Sequence, residues 1–202
     1  MSGLVYLVDD DFDVREGLCV LLRTHGFTVR DFAGAVAFLD ALSGLEPACL
    51  VIDLRMPLMN GHRLQEQLAA AGCDWPVIMI TGHGDMEACR KAFRAGAVDF
   101  LTKPIEEMPL VAAINLAQTR LKRLISEAES LGQARRRLEK LTSREAQILG
   151  LVGEGLTTKE IARRLDVSPR TVETHRTHIS EKLGTGSVAE MVRIHLAGGA
   201  AG

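Results

Sequence analysis

The chain has 202 residues, 47% of them hydrophobic and 25% charged, enough for one large domain or two small ones. No apolar stretch approaches the ~20 residues that cross a bilayer, and the N-terminus lacks the basic-then-apolar pattern of a secretory signal, which argues against a membrane or secreted protein and leads us to expect a cytoplasmic one. The net charge of −2 hides an asymmetry: residues 1–119 carry 9 Lys+Arg against 16 Asp+Glu, and residues 120–202 carry 15 against 10.

Short apolar runs at 4–8, 27–31, 48–53, 76–80 and 98–101 predict strands, and amphipathic stretches near 12–25, 34–43, 60–72 and 85–95 predict helices. This alternation argues for a doubly wound parallel sheet with helices on both faces. Sites in such sheets form beyond the carboxyl ends of the strands, where Asp9, Asp53, Thr81 and Lys103 all fall. Asn60-Gly61 predicts a tight turn with positive φ beside Asp53. The cysteines Cys19, Cys49, Cys73 and Cys89 follow no metal-ligand spacing and read as reduced thiols.

From Leu110 to Leu138 the pattern changes. Leu110, Ile114, Ala117, Leu121, Leu124, Ala128, Leu131 and Leu138 follow steps of four and three, a heptad seam weakened by Gly132 and Arg135. A long helix is expected, either packed on the sheet and fraying into a linker or carrying a dimer seam. The remaining segment reads as helical. Thr142-Ser143-Arg144-Glu145 and Thr157-Thr158-Lys159-Glu160 each offer a capping box, and Gly155 is the expected stop of the helix between them. Ser168-Pro169 starts another helix two residues after one that ends near Leu165, which suggests helix-turn-helix geometry. A last helix is expected at 187–196, with a disordered tail from Gly198 to Gly202.

Carboxylates brought together at a sheet edge repel one another unless a cation intervenes. Mg²⁺ takes one or two carboxylates with water and phosphate oxygens, and such a site suits formation of an aspartyl phosphate. The motifs Val8-Asp9-Asp10-Asp11, Asp53-Leu54-Arg55-Met56-Pro57, Thr81-Gly82-His83-Gly84 and Lys103-Pro104 resemble the receiver domain of two-component response regulators. The resemblance implies a flavodoxin-like (βα)5 receiver over residues 1–120. It makes Asp53 the phosphoacceptor and gives Asp9, Asp10, Asp53 and the Arg55 backbone carbonyl as Mg²⁺ ligands, with Asp11 ranked below them. Thr81, Phe100 and Lys103 become the phosphate-sensing switch, with a cis peptide before Pro104. His62 and His83 read as surface residues.

Residues 142–197 resemble the LuxR/FixJ-type helix-turn-helix output domain, through Leu141-Thr142-Ser143-Arg144-Glu145, Lys159-Glu160-Ile161-Ala162 and Ser168 to Arg176. Thr158 departs from the family's usual Asn and is expected to alter a local cap. Helical spacing puts Val172, His175, Ile179 and Leu183 inward, and Arg170, Glu173, Thr174, Thr177 and Glu181 outward. Glu173 suits cytosine, and Thr174 or Thr177 a thymine methyl. Arg176 lies on the flank within reach of guanine or phosphate. Lys159, Arg170, Thr171 and Lys182 suit phosphate contacts.

The expected architecture is a receiver at 1–120, a helical linker at 121–140 and an all-α four-helix DNA-binding domain at 141–202. The expected function is a response-regulator transcription factor. A sensor histidine kinase phosphorylates Asp53, and the receiver dimerises through a face carrying Arg90, Lys91, Arg94 and Asp99. The homodimer then binds double-stranded DNA and regulates transcription, with activation and an RNA polymerase contact favoured. An enzymatic role is not expected. Arg55 stands where an aspartyl-phosphate hydrolase wants its second carboxylate, and the absence of stacking aromatics disfavours an RNA-binding output. The alternative is a constitutive DNA-binding regulator whose receiver serves only as a dimerisation module.

Overall fold

The computed structural model describes residues 3–82, 90, 92 and 94–199. The chain divides into two units, Met1–Leu124 and Ile125–Gly202.

The first unit is built on five parallel strands: β1 (Leu4–Val8), β2 (Thr28–Phe32), β3 (Cys49–Asp53), β4 (Val77–Thr81) and β5 (Asp99–Thr102). Their order is β2-β1-β3-β4-β5. Central strands of a parallel sheet lie under helices on both faces and so read as unbroken apolar runs. Leu50, Val51, Ile52, Ile78, Met79 and Ile80 are accordingly fully buried. Edge strand β2 instead buries only Val29 and Phe32.

Between the strands run α1 (Phe12–Thr24), α2 (Ala35–Ala41), a short 3-10 turn (Leu42–Gly44) and α3 (Gly61–Ala70). One face of the sheet carries an aromatic cluster of Tyr6, Phe32, Phe38 and Trp75. The other face buries Leu18, Cys19 and Leu22 of α1. The helix expected near 85–95 falls largely outside the described residues, although Arg90, Ala92 and Arg94 are helical.

The long helix is α4 (Glu107–Leu138). Its apolar side chains serve two cores, with the buried position in the distal half shifting from the Arg135 slot of the seam to Ala134. Leu110, Ile114 and Ala117 are fully buried against the sheet. Farther on, Ala134 and Leu138 join the core of the second unit. Between them, Leu131 is left 46% exposed. The packed-helix reading therefore holds for the first half of the seam.

The second unit adds α5 (Ser143–Gly153), α6 (Thr158–Leu165), α7 (Pro169–Leu183) and α8 (Val188–Gly199). Both expected capping boxes form, on Thr142 with Glu145 and on Thr157 with Glu160. Each satisfies orphan N–H groups and typically contributes about 1 kcal/mol. Asp166 ends α6 with a left-handed φ of 52°, a conformation that Asp tolerates better than most side chains. Ser168 then caps α7 with Pro169 in its first turn, completing the helix-turn-helix. The last helix runs past its expected end at residue 196 and includes Gly198 and Gly199, which correct the expectation of a disordered tail there. Gly198 lies so close to Leu138 that a Cβ would collide with that side chain.

Candidate phosphoacceptor and nucleic-acid sites

Strand order 2-1-3-4-5 reverses direction between β1 and β3, and the crevice at such a reversal is where these sheets bind ligands. Asp9 follows β1 and Asp53 ends β3, so each flanks that crevice. Both side chains are buried, Asp9 at 1% and Asp53 at 4% exposure. The Lys103 ammonium bridges them, 2.8 Å from Asp9 Oδ2 and 2.7 Å from Asp53 Oδ1. The Arg55 N–H donates to Asp53 Oδ2 at 2.6 Å, and the Asp11 N–H to Asp9 Oδ1 at 2.9 Å.

Two carboxylates share one ammonium, so the site stays net anionic. Burial pushes the Asp53 carboxyl above its ordinary value, Asp9 adds to the shift, and hydrogen bonds from Lys103 and the Arg55 N–H oppose it. Burial also works against the Lys103 charge. Its hydrogen bonds to Asp53 and Asp9 outweigh that cost and hold its pKa above the ordinary value. An excess of carboxylate around one fixed cation is a donor set that suits a hard divalent cation such as Mg²⁺.

Thr81 ends β4 and is fully buried. Its carbonyl accepts the Lys103 N–H at 2.6 Å, which ties the carboxyl end of β4 to the lysine. The Lys103-Pro104 peptide is cis, as expected. Phe100 on β5 pairs with Met79 and is half-buried against the aromatic-rich core. Asp10 and Asp11 are exposed. Asp11 caps α1 by accepting from the Asp13 and Val14 N–H groups. His62 is half-buried, with its Nε2 shielded from solvent, rather than a plain surface residue. His83 lies outside the described residues.

The turn after Asp53 needs a correction. Positive φ falls on Leu58, at 67°, and not on Asn60-Gly61. Asn60 instead caps α3, its side chain accepting from the Arg63 N–H. Gly61 is required by space. A Cβ there would stand 2.5 Å from the Asp53 carbonyl oxygen and 3.1 Å from the Leu54 Cα. That close approach lets the Gly61 N–H donate to the Leu54 carbonyl at 3.0 Å.

Arg15 was missed by sequence reasoning. It is 9% exposed. Its Nη1 donates to the Asp9 carbonyl at 2.9 Å and the Asp10 carbonyl at 3.1 Å, while Nε pairs with Asp31 at 3.3 Å. One guanidinium thus clamps the backbone that carries both acidic residues. The only signal in the sequence was a basic residue one turn into a helix that follows three aspartates.

In the second unit, the exposed face of α7 presents Arg170, Thr171, Glu173, Thr174, Thr177 and Glu181, and Lys159 is exposed on α6. Val172, Ile179 and Leu183 are buried, as their spacing predicts. His175 is half-buried between these faces. Two cations are already engaged. Arg176 Nη1 donates to Thr158 Oγ1 at 3.1 Å. Thr158 is therefore a partner for the flanking arginine rather than part of the cap, which Thr157 provides. Lys182 Nζ lies 2.6 Å from Glu145 Oε2, and Glu145 is only 3% exposed. The Lys182 hydrogen bond, together with that from the Thr142 N–H, lowers the Glu145 carboxyl to about 2.

Of the four residues expected on a dimer face, Arg90 and Arg94 are exposed and Asp99 is half-buried. Asp99 Oδ1 accepts the Phe100 N–H at 2.8 Å. Lys91 lies outside the described residues.

Sheet order, crevice and bridged carboxylates define a receiver, and the helix-turn-helix unit defines a nucleic-acid-binding module. The family model "Response regulator receiver domain" matches residues 5–115, and "Bacterial regulatory proteins, luxR family" matches residues 139–195. The chain is 41% identical over 195 residues to the transcriptional regulatory protein FixJ of Rhizobium meliloti, covering 96% of each chain. It is 40% identical over 193 residues to the response regulator protein TmoT of Ectopseudomonas mendocina, covering 96% of this chain and 88% of TmoT. A solved structure of the response regulator StyR, 41% identical, gives a TM-score of 0.84 over 96% of this chain and 98% of that one. The chain belongs to the FixJ-like response regulators. It is a two-component response regulator with a receiver and a LuxR-type DNA-binding domain. Among the described residues, no helix is long and apolar enough to cross a membrane.

Proposed function

We propose that Asp53 accepts a phosphoryl group from a sensor histidine kinase and that the modified receiver dimerises to control DNA binding by the second unit. The observation that carries this reading is the Lys103 ammonium held 2.7 Å from Asp53 and 2.8 Å from Asp9. A lysine fixed on the acceptor carboxylate meets the charge that a phosphoryl group adds. Asp9, Asp10, Asp53 and the Arg55 carbonyl would hold Mg²⁺, which supplies screening of the anionic oxygens. Thr81 and Phe100 form the switch that senses the modification. Arg90, Lys91, Arg94 and Asp99 mark the surface through which two copies associate. In this division of labour, residues 1–120 receive the signal, 121–140 connect, and 141–202 bind DNA.

On DNA, the N-terminal half of α7 enters the major groove. Glu173, Thr174 and Thr177 face base edges, with Arg176 at the flank. Lys159, Arg170, Thr171 and the partly exposed Lys182 meet phosphates. Two copies then read half-sites about one DNA turn apart, and an activating dimer would contact RNA polymerase.

The test is binding to duplex DNA carrying half-sites selected from a random pool, in Mg²⁺, with and without a small phosphodonor, for the wild type and Asp53→Ala. The reading requires the phosphodonor to tighten wild-type binding and to leave the variant unchanged. Equal, tight binding by both proteins under all conditions overturns phosphoryl control and leaves a constitutive regulator.

A further inference from the structure

Glu145, His175 and His178 come together in the second unit. One ligand atom from each lies within 4.8 Å of the other two. Glu145 belongs to the first turn of α5, and the two histidines stand three residues apart on α7. On a helix that spacing places both imidazoles on one face. The outward DNA face uses other positions.

Three features distinguish this group from a chance meeting of polar side chains. His175 Nδ1 is buried with no hydrogen-bond partner among the described residues, a state that normally costs about 1–3 kcal/mol and that a ligand would relieve. Glu145 is 3% exposed, so its carboxylate is already fixed and desolvated. Among the described residues, its hydrogen bonds fall on Oε2, from Thr142 N, Thr142 Oγ1 and Lys182 Nζ. Oε1 is left to a further cation. His178 is exposed and can swing to close the set.

We propose that Glu145, His175 and His178 form a binding site for a zinc-class divalent metal ion. Two imidazoles and one carboxylate suit Zn²⁺, with water in the fourth position. Mg²⁺ prefers oxygen ligands and is not the expected occupant. Ligands stand about 2.0–2.2 Å from such an ion, and the exposed His178 side chain can adjust to that geometry on binding. The Lys182 ammonium on Oε2 opposes the metal and limits its affinity. A bound ion would pin the recognition helix α7 to α5.

The experiment uses the full chain, stripped with a chelator and returned to excess Mg²⁺ so that the acidic crevice is filled. Zn²⁺ is titrated by calorimetry, and Co²⁺ by its visible spectrum, which reports nitrogen ligation and coordination number. The expected result is one Zn²⁺ per chain and a Co²⁺ spectrum of low coordination number. His178→Ala should weaken binding by more than about tenfold, the least that losing even an outer partner of a metal site tends to cost. His25→Ala, in the other unit, should leave binding unchanged. Because His178 is exposed, metal-free His178→Ala should melt like the wild type, and only the wild type should gain stability from Zn²⁺. Absence of binding in excess Mg²⁺, or binding unchanged by His178→Ala, overturns the proposal. None of these readouts depends on DNA or phosphorylation.

Discussion

The Cα of Gly61 lies against the backbone of Asp53, so close that a Cβ would stand 2.5 Å from the Asp53 carbonyl oxygen. The first residue of α3 is thereby packed directly onto the end of β3. Backbone cannot yield as a flexible side-chain tip can. Gly61→Ala should destabilise the receiver by about 1–3 kcal/mol, the usual cost of overpacking, and slow phosphoryl uptake by shifting Asp53. Denaturant unfolding checks the first effect and phosphodonor labelling the second. An unchanged midpoint would show that the strand end moves freely.

Arg15 gives a second prediction. Its guanidinium holds the carbonyls of Asp9 and Asp10 at 2.9 and 3.1 Å. Removing it leaves both acidic side chains on a looser backbone. Arg15→Ala should weaken Mg²⁺ binding about tenfold, as loss of an outer-shell partner tends to do. Arg15→Lys should not restore it, because an ammonium lacks the forked geometry. Calorimetric Mg²⁺ titration decides; wild-type affinity in Arg15→Ala would remove the clamp from the account.

The Glu145 carboxyl yields a pH dependence. Its folded value of about 2 lies below its ordinary 4.5, chiefly because Lys182 hydrogen-bonds to it. A lowered folded value means that the folded state favours the ionised form. The stabilisation is complete above about pH 4.5 and is lost as pH falls toward 2. In chelator-treated protein, the stability gap between wild type and Glu145→Gln should therefore narrow across that window. A gap that stays constant with pH would contradict the ion pair.

Lys159 and Lys182 should behave differently despite equal charge. Lys159 is exposed. Lys159→Ala should lower the slope of log affinity against log salt by about 1 without changing the melting temperature. Lys182 neutralises a buried carboxylate. Lys182→Ala should cost about 1–3 kcal/mol of stability by leaving Glu145 short of a donor. Salt-dependent DNA titration and thermal melting of both variants separate the roles; equal melting temperatures would refute the distinction.

Much of this molecule is legible in its sequence for a definite physical reason. Buried parallel strands need continuous apolar runs, and helix starts need side-chain acceptors. The strands, both capping boxes and the Ser168-Pro169 start are therefore local signals that the fold obeys. Asp9, Asp53, Thr81 and Lys103 each follow or end a strand, so their shared sheet edge was legible from the apolar runs before them.

What only the tertiary structure decided depends on through-space approach. Asn60-Gly61 resembles a turn with positive φ, yet the glycine answers to the Asp53 carbonyl, which no local pattern records. Gly198 lies within a helix and against the Leu138 side chain, a contact between two separate elements. Arg15 reaches across to Asp31 and the Asp9 backbone, Thr158 accepts from Arg176, and Lys182 is held by Glu145, 37 residues away. A sequence states which side chains carry charge and hydrogen-bonding groups. Only the folded chain determines which of them lie within hydrogen-bonding distance of one another, because that distance is set by packing between elements rather than by spacing along them.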